Sequence, residues 1–210
     1  MKSSFVRRVV VFAAASVIST ASAQTATFSI VPSQTVVNTT VATSFTLSVF
    51  GSASFGTHIE GTVFDLLTAG PLGNGITNIT PTFPAWSTAS SWGGHIGNGE
   101  LVGYTAGQVI FPPNFLPHPD TDFRTNPVLL GVFELDVAAG SSGTVNWMTS
   151  GGVSGNGEMR VYDEVTGTTM QFITGGPAVI AGSASVTFVP APSSLGVLGV
   201  GGLVVGRRRR

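Results

Sequence analysis

The 210-residue chain contains no cysteine and a single lysine, Lys2. Without thiols it cannot carry disulfides, thiolate metal sites, iron–sulfur clusters or a cysteine nucleophile. Its fold must therefore be held by an apolar core, and a body of this length is large enough to bury one. Positive charge is also scarce in the interior of the sequence. The basic residues are Lys2, Arg7, Arg8, Arg124, Arg160 and Arg207 to Arg210, while all ten acids fall between Glu60 and Glu164. The stretch from Gln24 to Val189 thus sets two arginines against ten acids, a net of −8 concealed within a formal −1 for the whole chain. A field of that sign repels phosphate backbones, which excludes nucleic acid as a partner, and it keeps a surface soluble. Helical periodicity is missing outside the two ends. No Gly-x-Ser-x-Gly elbow occurs, and no phosphate-cradling loop leads into a helix. The three histidines, His58, His95 and His118, lack the short spacings typical of a transition-metal site.

What is present is strand pattern. Ser44 to Val49 alternates polar and apolar residues without interruption, the period of a half-buried strand. Thr27 to Val31, Gly61 to Leu67, Ile76 to Thr82, Leu101 to Ala106, Thr144 to Met148, Met159 to Tyr162, Thr169 to Ile173 and Ala184 to Val189 are further short runs rich in β-branched, aromatic and aliphatic residues. Val128 to Val137 is longer and starts apolar on both faces, as a central strand would. Gly73-Asn74-Gly75, Gly97-Asn98-Gly99, Gly140 to Gly143, Gly155-Asn156-Gly157 and Gly175-Gly176-Pro177 supply the turns. About nine strands at this spacing predict an all-β, two-sheet antiparallel sandwich of jelly-roll or cohesin-like build. An open barrel is the second choice.

One segment breaks the rhythm. Between Pro81 and Pro127 lie seven prolines with Trp86 and Trp92 among them, and proline cannot donate to a strand ladder. A long irregular excursion from a rigid scaffold is a natural place for a binding surface. Trp86, Trp92, Tyr104 and Phe115 are the candidates there for an aromatic platform facing sugar rings; the alternative is that they pack inward. Asp120-Thr121-Asp122 and Asp163-Glu164 set hard oxygen ligands close together, so Asp120 and Asp122 are candidates for calcium. Glu100, Asp120 and Asp122 are the acids a polysaccharide hydrolase would use if they met in a cleft.

The two ends read as addresses. Lys2, Arg7 and Arg8 precede an apolar run from Val9 to Ile18, and Ala21-Ser22-Ala23 is a small-x-small cleavage site ahead of Gln24. This is the order of a secretory signal peptide over residues 1–23, which implies passage through the Sec translocon and a mature chain beginning at Gln24. At the other end, Val189-Pro190-Ala191-Pro192 leads into twelve apolar, glycine-rich residues from Leu195 to Gly206, followed by Arg207, Arg208, Arg209 and Arg210. As a helix that stretch would be about 18 Å long against a hydrocarbon core of about 30 Å, suiting transient membrane insertion better than a permanent span. The arginines would stay cytoplasmic.

This tail, residues 189–210, resembles the PEP-CTERM protein-sorting domain of exported bacterial proteins, whose order is Pro-Glu-Pro, a short apolar helix and an arginine cluster. Ala191 stands where that family usually has glutamate. The resemblance implies recognition by an exosortase-type processing enzyme, cleavage near the Pro-Ala-Pro, and delivery to the outer surface or an exopolysaccharide matrix. The body, residues 24–188, is similar to cohesin-like and carbohydrate-binding sandwich modules in its strands Ser44 to Phe50, Gly61 to Leu67, and Val128 to Val137 followed by Thr144 to Met148. The expectation is an exported, non-catalytic sandwich with a structural or adhesive role in the envelope or its extracellular polysaccharide, needing no cofactor. A carbohydrate- or protein-binding module of cohesin type is the alternative, and a polysaccharide hydrolase the second.

Overall fold

Residues 23–69, 75–110, 116–173 and 176–191 are described by a computed structural model. The alternating stretch around Ser44 becomes β3 (Thr43–Ala53), with Phe45, Leu47 and Val49 buried and Ser44, Thr46 and Ser48 turned outward. It lies between β1 (Thr25–Pro32) and β9 (Val128–Val137), antiparallel to both. β5 (Ile76–Thr82) pairs with the far side of β9, and the short β13 (Ala178–Ile180) runs parallel to β1. The first sheet therefore has the order β13-β1-β3-β9-β5.

The second sheet is built on β4 (His58–Ala69), which is flanked on both sides. Val63 faces Glu158 on one side and Thr105 on the other. One side takes β11 (Glu158–Asp163) and then β10 (Gly143–Ser150); the other takes β8 (Glu100–Gly107). β12 (Thr168–Phe172) extends from β11, while β14 (Ser183–Val189) and β2 (Val36–Asn38) extend from β10. β6 (Ala89–Ser91) and β7 (Gly94–Gly97) form a flap on β8. The protein is an all-β sandwich. Its pairing is antiparallel except at β1–β13 and β2–β14, where it is parallel, so the expectation of purely antiparallel sheets is corrected at two edges.

The apolar start of β9 has a different cause from the one its sequence implies. Val49 pairs with Gly131 but Phe50 with Leu129, so Leu130 is an extra residue in the strand. Such a bulge resets the alternation. Val128 and Leu130 before it, and Phe133, Leu135 and Val137 after it, all point into the core. A second bulge, at Glu60 in β4, lets Ile59 share the inner face with Phe64 and Leu66.

The core lies between the sheets, with Trp147, Tyr104, Phe28, Phe64, Phe133 and Phe188 its largest fully buried side chains. Phe28 meets Phe64 edge-on at 5.5 Å, Tyr104 meets Phe133 at 5.0 Å, and Phe45 meets Trp147 at 5.8 Å. Burial contributes about 1.5–3 kcal/mol for each large apolar side chain, and edge-to-face pairing about 0.5–1.5 kcal/mol more. This core stands in for the missing disulfides.

Candidate functional site

Two of the four aromatics proposed for a platform, Trp86 and Tyr104, turn inward. Trp86 is 4% exposed, and its Nε1 donates to the Leu129 carbonyl at 2.9 Å, closing the sandwich over β9. Tyr104 projects inward from β8, fully buried; its hydroxyl donates to the Leu130 carbonyl at 2.7 Å and Phe83 stacks on its ring at 5.2 Å. Burial raises the Tyr104 phenol far above its ordinary pKa. Trp92, between β6 and β7, is 38% exposed. Phe115 lies outside the described residues. Trp86, from the turn between β5 and β6, and Tyr104, from β8, are therefore packing residues. Leu101, Tyr104 and Ala106 share the inner face of β8, which the sequence hides behind the irregular Gly103 at φ 64°.

Glu100 and Asp122 stand at opposite ends of one strand. Glu100 sits beside one end of β4, where its Oε1 accepts from Thr68 N and Thr68 Oγ1 at 3.0 and 2.9 Å. Asp122 sits at the opposite end, forming a bridge with His58. The length of β4 between Thr68 and His58 is roughly 30 Å, far beyond the separation of glycosidase carboxyls. This distance keeps Glu100 from pairing with Asp122 across one cleft.

Of the calcium candidates, Asp122 is held by an arginine. Arg124 Nε donates to both Asp122 carboxylate oxygens at 3.0 Å, and its NH2 makes a further contact with Asp122 Oδ2. These hydrogen bonds hold the Asp122 carboxyl down at about 2. Asp120 lies 3.6 Å from His118 Nδ1. Asp163 caps its own turn, accepting from Val165 N and Thr166 Oγ1, while Glu164 approaches Arg124 at 3.6 Å. Among the described residues no group of three His, Asp or Glu side chains stands ready for a metal ion.

A polar corner absent from the sequence reading joins β4, β11 and the segment after residue 116. Gln108 donates from Nε2 to the Ile59 carbonyl and to Thr121 Oγ1, and accepts from His118 N at 2.9 Å. Thr57 Oγ1 lies 2.9 Å from buried His58 Nδ1, and Glu164 Oε1 approaches the same nitrogen at 3.5 Å. Both partners share one ring nitrogen, so the set offers no hydroxyl-to-carboxylate relay through the imidazole. Thr57 is itself buried and held by the Tyr162 carbonyl and Glu164 N. This corner ties a loop to the sheets. Its three stretches, Thr57-His58, Gln108 to Thr121 and Tyr162 to Glu164, lie dozens of residues apart, and no spacing announces their meeting.

Two open grooves of about 480 and 420 Å³ are present. The first surrounds Asp136, which already accepts from Ser44 Oγ and Asn78 Nδ2. The second is lined by Val36, Asn38, Val189, Pro190 and Ala191, where the chain leaves the sandwich. Both arginines of the body are committed: Arg124 to Asp122 and Glu164, and Arg160 to Glu60 at 4.0 Å.

The address motifs flank the sandwich closely. β1 begins at Thr25, and the Gln24 carbonyl accepts from Ala178 N at 3.1 Å. β14 ends at Val189, whose carbonyl accepts from Thr39 N at 3.1 Å. Ala23, Gln24, Pro190 and Ala191 are described; Ala21, Pro192, the apolar stretch and Arg207 to Arg210 lie outside the described residues. Among the described residues no helix is long and apolar enough to cross a membrane.

No protein-family model matches the chain, and no curated protein matches it significantly. Solved structures similar to it include the seventh ScaB type I cohesin from Pseudobacteroides cellulosolvens, at 8% identity and a TM-score of 0.46, covering 82% of this chain and 96% of that one. The sixth cohesin of Acetivibrio cellulolyticus scaffoldin B, solved with a Cel5 dockerin, gives 11% identity and 0.44 over 80% of this chain and 100% of that one. A type II cohesin from the cellulosome of the same organism gives 16% and 0.40 over 77% and 95%. These likenesses are of general build.

Proposed function

We propose that the chain is exported, trimmed at both ends, and sorted to the cell surface or an extracellular polysaccharide matrix. There its sandwich serves as a non-catalytic structural or adhesive module. The observation that carries this reading is the placement of the fold between its two addresses. The first strand starts one residue after the expected leader cleavage site, and the last ends one residue before Pro190. Removing residues 1–23 and 190–210 would leave every described strand whole. The dispersal of the acids and the inward turn of Trp86 and Tyr104 favour a scaffold over a hydrolase or a sugar platform.

Cell fractionation with two deletions tests it. Loss of residues 1–23 retains the protein in the cytoplasm, and loss of residues 190–210 leaves it exported but unsorted. Unchanged distribution of both deletions overturns the proposal.

A further inference from the structure

We infer that Gln24, once leader removal makes it the first residue, cyclises to pyroglutamate, so that the mature protein carries a blocked amino terminus. The inference rests on the cleavage between Ala23 and Gln24 proposed above. Before cleavage the Gln24 nitrogen is an unreactive amide. Afterwards it is an amine with a pKa of about 7.7–8.0, so a useful fraction is uncharged near neutral pH. That nitrogen attacks its own side-chain carboxamide carbon, closing a five-membered ring. The bond to Nε2 breaks, and Nε2 leaves as ammonia with a proton from the attacking amine. No oxidant, metal or second substrate is required. Intramolecular attack of this kind enjoys effective molarities on the order of 10⁵ M or more when the geometry is favourable.

The structure separates the part of Gln24 that reacts from the part that does not. Its carbonyl is held by Ala178 N at 3.1 Å, and the next amide, Thr25 N, donates to Ser54 Oγ at 2.8 Å. Thr25 is also the first residue in register with β13. Upstream of that carbonyl, neither the Gln24 nitrogen nor its carboxamide has a hydrogen-bond partner among the described residues, and Ala23 before it is exposed. The ring removes an ammonium group and denies aminopeptidases an entry to β1, which lies between β13 and β3 and contributes buried Ala26 and Phe28.

The test is to produce the full chain in an exporting bacterium, recover the exported form, and sequence its N-terminal peptide by tandem mass spectrometry and stepwise Edman degradation, alongside Q24A. The expected peptide begins at residue 24, is lighter by one ammonia than a glutamine-initiated peptide, and resists Edman degradation; the Q24A protein sequences normally from the same position. A peptide beginning at residue 24 with an intact glutamine and a free amine overturns the cyclisation and leaves the processing standing. A peptide beginning anywhere else overturns the processing and the cyclisation with it.

Discussion

Burial sorts the aromatic side chains into those that hold the sandwich together and those that do not. Trp86→Ala removes a buried ring and its hydrogen bond to Leu129, and is expected to cost about 3–5 kcal/mol by urea denaturation. Trp92→Ala, at a half-exposed site, is expected to change stability by less than about 0.5 kcal/mol. Equal costs would contradict this division. The charged residues make a pH prediction. Arg124 lowers the Asp122 carboxyl from 3.8 to about 2 in the folded protein. The stabilisation is therefore present above about pH 4 and lost as pH falls through the folded value near 2. Thermal melts of Arg124→Ala should lose this part of the acid sensitivity, while chelation of calcium should leave the wild-type Tm unchanged. A Tm that rises with added calcium would restore Asp120 and Asp122 as an ion site.

Strand by strand, ten of the segments read from alternation and β-branched content are present, β3 most clearly. The four that went unread, β2, β6, β7 and β13, are three or four residues long. So short a run has no period of its own and exists because a longer neighbour offers it a ladder. Turn chemistry was legible where a turn needs special backbone: Asn98 at φ 51° and Gly99 at φ 74° link β7 to β8. The inner or outer orientation of side chains was not legible across bulges, since one inserted residue at Leu130 or Glu60 reverses every later assignment. That is why the start of β9 looked two-faced, and the irregularity at Gly103 in β8 hid the inward turn of Tyr104 in the same way. Asp120 and Asp122 were visible as paired acids, but the hold of Arg124 on Asp122 depends on how the loop folds. Gly131, next to the β9 bulge, makes room for Tyr104: a Cβ there would lie 2.5 Å from the tyrosine hydroxyl. Gly131→Ala is expected to destabilise the protein by about 1–3 kcal/mol through overpacking, read as a lowered urea midpoint with an unchanged slope. An unaltered midpoint would mean that β9 shifts freely there.

Taken together, the described strands all lie between Thr25 and Val189. Ending the chain after Ala191 should therefore leave its Tm unchanged. Ending it after Thr187 removes Phe188, which is 2% exposed and lies 5.9 Å from Phe45, along with Val189, and should cost about 3–5 kcal/mol. The acidic body, with both of its arginines paired, carries a field that repels phosphate backbones. The most direct measurement is the intact mass of the protein recovered from the surface or matrix of the cells that make it. A species starting at residue 24 and stopping at or just beyond Pro190-Ala191-Pro192 is the predicted result. An uncut polypeptide from Met1 to Arg210, recovered from the cytoplasm, would contradict the account.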